Sequence, residues 1–130
     1  MSKNQKKQSQ VLGIKKIFKF PHIRIYLIII FGLHIILWML GYSMKSNIDQ
    51  ELVVLHYNID FGVDWIGNIN KIFIIPIISL GMIIINLILA ASSVRSRDFV
   101  FIAHLILFFT MLINIFLLIS FGLIYLVNFR

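Results

Sequence analysis

Three stretches of this 130-residue chain, about 23–42, 72–94 and 99–127, are apolar almost from end to end. Each is as long as the roughly 20 residues needed to carry a helix across a hydrocarbon layer about 30 Å thick. The only charged side chain within them is Arg24, at the opening of the first. A soluble domain would need polar faces on such segments, and these have none. The whole-chain figures agree: 60% of residues are hydrophobic and the mean hydropathy is +0.97. A soluble domain has about half its residues apolar. The expected fold is therefore an all-α membrane protein of three transmembrane helices, with a short extended, β-type element in the loop joining the first two.

The remaining sequence divides into a tail, a long loop and a tight connection. Residues 1–20 form a basic tail. Its first ten residues are polar and have nothing to bury. Val11, Ile14, Ile17 and Phe18 then recur at helical spacing among Lys15, Lys16 and Lys19. That pattern suits a short helix in the headgroup layer, and it equally suits the plain basic flank of a membrane span. Pro21 marks the boundary with the membrane domain, 21–130, because it disfavours helix at Phe20 and favours a new first turn. Span one is longer than the apolar core of a cleaved signal, so it reads as an uncleaved anchor.

The basic residues are unevenly distributed. Of 12 Lys and Arg, all but Lys45, Lys71 and Arg130 lie in the tail, at the start of span one, or in the Arg95–Arg97 connection. The positive-inside rule then predicts a multi-pass cell-membrane protein with a cytoplasmic N-terminus, and with loop 43–71 and the C-terminus outside. The net charge of +7 sits beside apolar spans instead of on a solvated fold. Anionic lipid at the N-terminal basic segment is the expected partner, and nucleic acid is not. The absence of cysteine excludes disulfides, cysteine zinc sites and thiol nucleophiles.

Polar side chains inside the spans are costly and need a reason. His34, Asn86 and Asn114 fall at similar depths in spans one, two and three, and are expected to form one intramembrane polar cluster. Ser79, Met82, Asn86, Ala90 and Ser93 make a small, weakly polar stripe on span two. Thr110 lies one turn from Asn114 on span three. Two uses compete: a proton or ion pathway through His34, or hydrogen-bonded packing of helix against helix. The second is favoured because no Asp or Glu lies within a span to carry a proton. His104 reads as structural, and His22 needs no special role.

The long loop carries Asp49, Glu51, Asp60 and Asp64, leaving Asp98 as the one acid elsewhere. From Val53 to Trp65 it alternates. Leu55, Tyr57, Ile59, Phe61, Val63 and Trp65 share one parity; His56, Asn58, Asp60, Gly62 and Asp64 share the other. A period of two is the mark of an extended strand with one apolar face. A single strand is not stable alone. It must fold back as a hairpin turning at 58–62, or pair with another chain. Gly62, Gly67 and the asparagines disfavour an in-plane helix here. His56, Tyr57, Asn58, Asp60, Phe61, Gly62, Asp64 and Trp65 form the candidate docking loop. His56, Asn58, Asp60 and Asp64 offer cation ligands, but at no established metal spacing, so a solvated strand face is the preferred reading.

Leu55–Asp64 also resembles a signature, LHYN-x-x-FG-x-D, of small three-span membrane proteins from bacteria with reduced genomes. The resemblance covers this loop and the general layout. It implies that the loop is a defined element and carries no assigned activity.

The expected function is that of a small accessory or scaffold subunit, associating with copies of itself or with a larger membrane complex and docking a partner through the loop. The alternative is a homo-oligomeric channel or carrier with His34, Asn86 and Asn114 at its midplane. An enzyme using His56 and Asp60 is the weakest reading, since no nucleophile or oxyanion site accompanies them. No catalytic residue, metal ligand or cofactor is assigned.

Overall fold

The computed structural model describes residues 19–58 and 60–129. The tail, with the short helix or plain basic flank expected there and the lysines expected to meet anionic lipid, thus lies, apart from Lys19 and Phe20, outside the described residues, as do Ile59 and Arg130. Helix α1 runs Pro21–Asn47. An antiparallel hairpin follows, β1 Leu52–Asn58 and β2 Gly62–Asn68. A 3-10 turn, Ile69–Phe73, leads into α2, Ile74–Ser92, and a second short one, Ser93–Arg95, closes it. Helix α3 spans Phe99–Asn128. Three helices are long and apolar enough to cross a membrane, as in a multi-pass integral membrane protein; the second includes both flanking 3-10 turns. At most 28% of the residues in their most apolar windows are buried by protein, which leaves most of that apolar surface for lipid.

Pro21 sits at the first position of α1, where its missing N–H costs nothing. The helix continues past the expected end near Tyr42. Met44 is fully buried, and Ser46 and Asn47 both donate to the Ser43 carbonyl, at 3.1 and 2.8 Å, which satisfies the last turn. Pro76 falls in the first turn of α2, where helices tolerate it. Asn68 joins two elements: it is the last residue of β2, and its side chain caps the following 3-10 turn by accepting from the Asn70 amide at 2.9 Å.

The chain packs as two compact units. One comprises the described residues up to Gly32 together with Gly81–Ile113. Its core is Ile23, Leu27 and Ile30 of α1, Ile83 and Ala90 of α2, and Phe99, Ala103 and Leu107 of α3. The alanines let backbones approach, the usual basis of helix association in lipid. The His104 ring stands edge-on to Tyr26, centroids 5.6 Å apart, and lies 6.0 Å from the ring of His22.

The second unit comprises Leu33–Leu80 and the described residues from Asn114. Leu37 and Met44 of α1, Phe121 and Ile124 of α3, Ile72, and Val53 and Leu55 of β1 make its core. Gly41 admits the ring of Phe73, since a Cβ there would stand 3.0 Å from Phe73 Cε1. Phe73 in turn packs against Trp38 and Tyr42, with centroids 5.7 and 5.3 Å away.

Candidate functional site

The loop folds back on itself. β1 ends at Asn58 and β2 starts at Gly62, so the turn falls where the sequence places it. The Asn58 side chain accepts from the Asp60 amide at 2.9 Å, an Asx turn. Gly62 has φ +77°, a left-handed conformation that a side chain would oppose. The ladder pairs Val53 with Gly67, Val54 with Ile66 and Tyr57 with Val63. Its register is irregular on both sides of His56, where Leu55 on β1 and Asp64 on β2 are left out of the pairing.

The two parities separate as the alternation predicts over β1: Val53 and Leu55 are buried, and His56 is exposed. On β2 the separation is weaker. Gly67 is buried, while Val63 and Trp65 remain about half exposed beside Ile66. Gly67 is required by close approach, because a Cβ would fall 2.6 Å from Leu55 Cδ1. Phe61, at the tip, is 84% exposed, the highest of any large apolar side chain among the described residues.

On the polar parity, His56 Nδ1 and Asp64 Oδ1 lie 2.6 Å apart, although the ladder pairs His56 with Trp65. Asp60 and Asn58 meet in the turn and not at that pair. Among the described residues no three His, Asp or Glu side chains come together. Beneath the hairpin a cavity of about 50 Å³ is lined by Leu55, Trp65, Lys71, Ile72, Phe121 and Ile124. Pockets for drug-sized ligands run to about 300 Å³ or more.

Asn128, which the sequence does not single out, fixes the hairpin to α3. Its Oδ1 accepts from the Val54 N–H at 2.8 Å, and its Nδ2 donates to the Val54 carbonyl at 2.8 Å. The same Nδ2 donates to the Ile124 carbonyl at 2.8 Å. One side-chain amide thus takes the place of a neighbouring strand at Val54.

Polar residues of the spans are hydrogen-bonded within each unit. In the second unit, His34 Nδ1 is 2.9 Å from Ser79 Oγ, and Ser79 Oγ is 2.6 Å from Asn114 Oδ1. Trp38 Nε1 donates to His34 Nε2 at 3.0 Å. The direction of this chain follows from chemistry. An indole N–H only donates, so Nε2 must be the unprotonated nitrogen of His34. The ring proton is then on Nδ1 and is given to Ser79, whose hydroxyl proton goes to Asn114. His34 is neutral, with one tautomer. In the first unit, Asn86 Nδ2 donates to Thr110 Oγ1 at 2.9 Å, and Thr110 donates to the Ile106 carbonyl. His34 and Asn114 are thus joined through Ser79, while Asn86 is satisfied by Thr110. Ser79 and Thr110 are visible in the sequence as stripe residues, and Trp38 follows His34 by one helical turn. Asn128 has no such signal.

No family model, no curated protein and no solved structure matches this chain.

Proposed function

We propose that the chain is a small accessory or scaffold subunit of a membrane assembly, with the hairpin as its docking element. The observation that carries this reading is the contrast between the hairpin's two sides. Val53, Leu55 and Gly67 are buried, and Asn128 holds Val54, so the element is rigidly mounted. Phe61, Trp65 and Ile66 remain exposed, and no further strand pairs with β2 among the described residues. A rigid mount with an open strand edge suits recognition by backbone pairing.

The buried polar residues support packing over transport. Among the described residues no buried side-chain nitrogen or oxygen lacks a hydrogen-bond partner. The His34 chain ends in an indole that cannot accept a proton. Such bonds contribute about 0.6 kcal/mol each to helix association in lipid. The charge asymmetry supports a cytoplasmic N-terminus and an external hairpin, and the tail's lysines suit anionic lipid.

The reading is tested by cross-linking intact native membranes before solubilisation, then purifying the chain and identifying what accompanies it. A stoichiometric companion, whether a second copy or another membrane protein, is the expected result. A chain that stays alone under these conditions overturns the proposal. A reporter at Ser93 that reads as external would overturn the orientation.

A further inference from the structure

The scaffold reading leaves the docked partner unspecified, and the two edges of the hairpin specify it further. In an antiparallel ladder, residues alternate between pairs that bond to each other and pairs whose N–H and C=O point away. Both backbone groups of Val54 bond to Asn128, so the Val54–Ile66 pair is of the second kind. The N–H and C=O of Ile66 therefore point outward along the far edge of β2. One edge of the sheet is covered at its centre, and the other presents paired donor and acceptor at its own.

We infer that the β2 edge pairs with β2 of a second copy of this chain, Ile66 against Ile66, to make a four-stranded antiparallel sheet about a two-fold axis. This deepens the docking proposal and rests on it. Three features select a second copy. First, with Asn128 occupying the outward N–H and C=O of Val54, β1 has no free edge at its centre, so pairing stops at two copies and does not continue into an open array. Second, a two-fold axis normal to the sheet keeps Val53 and Leu55 of both copies on the same side. Two copies anchored in one bilayer with the same topology require this. Third, the register is self-complementary. Centring on Ile66 sets Asp64 opposite Asn68, a carboxylate beside an amide, and Trp65 opposite Gly67. Centring on Asp64 would oppose two carboxylates, and centring on Asn68 would run into the helical turn at Ile69. A single short edge buries less than the roughly 1,200 Å² of a stable soluble interface. The pairing is accordingly expected in the bilayer, where both hairpins are held at one level.

The chain has no cysteine, so single cysteines report cleanly. Paired residues at such a position have Cα atoms about 5.5 Å apart, within disulfide range. In membranes, Ile66→Cys should oxidise to a dimer and Asn68→Cys should not. Ile66→Glu, at an exposed side chain and adding no amine, should abolish cross-linking of the chain to itself by an amine-reactive reagent. The inference is overturned if Ile66→Cys stays monomeric while the unsubstituted chain cross-links to itself. That result puts the interface elsewhere and leaves the scaffold reading standing. It is also overturned if the Ile66→Cys variant forms a disulfide only with a protein of different mass. A chain that cross-links to nothing overturns both readings.

Discussion

The attachment of the hairpin to α3 through Asn128 can be tested at one backbone amide. Asn128→Leu keeps the side-chain volume and removes both bonds to Val54. Each such bond contributes about 0.5–1.5 kcal/mol net, so the two together hold the edge by about 1–3 kcal/mol. The third bond, to Ile124, lies within the helix and does not touch the hairpin. Because the Val54 N–H faces away from β2, Asn128 is its protection. Amide hydrogen exchange followed by NMR in micelles should therefore show Val54 exchanging about 5- to 150-fold faster in the variant, the factor set by that energy. The Val53 amide, on the ladder with Gly67, should change less. Asn128→Asp keeps the acceptor but faces the Val54 carbonyl with a carboxylate, and should protect no better than leucine. Unchanged exchange at Val54 would refute the edge-cap reasoning. So would an equal rise at every hairpin amide, because Asn128 would then be supporting the whole fold.

Three further outcomes follow from the packing. Trp38→Phe leaves His34 Nε2 without its donor in a buried site and should lower stability by about 1–3 kcal/mol. In the unsubstituted chain, ¹⁵N NMR should find the proton on Nδ1 of His34, and finding it on Nε2 would break the deduced direction of the chain. Gly67→Ala forces Leu55 aside and should cost about 1–3 kcal/mol in thermal unfolding, whereas a neutral result would mean that the leucine has room to move. Phe61→Ser should change stability by less than about 0.5 kcal/mol, since its ring is exposed, yet weaken association measured by cross-linking in membranes.

The helices are legible in the sequence because lipid imposes one requirement, a long apolar run, and that requirement is local. Their bounds are less legible. Helix α1 ends where the side chains of Ser46 and Asn47 bond back to Ser43, and the sequence shows a polar segment there and nothing that says it remains helical. Span three is longer than a perpendicular crossing requires, and the last residue of α3 uses the excess to reach the hairpin. The turn at 58–62 is readable from Asn58 and Gly62, but hairpin against intermolecular strand is not, since both satisfy the same alternation. The polar cluster is half readable. Depth alone groups His34, Asn86 and Asn114, whereas partner choice depends on which face each helix turns inward. Depth carries no such angle, which is why Ser79 enters between His34 and Asn114, and Thr110 as the partner of Asn86.

Asn68 leaves no slack between strand and helix. The residue that completes the ladder opposite Leu52 also caps the turn that opens the second candidate span, and the Ile69 amide reaches back to the Glu51 carbonyl at 3.0 Å. No residue intervenes between the last of β2 and the first of that turn, so a one-residue insertion after Asn68 would part the ladder from the cap that a single side chain now joins.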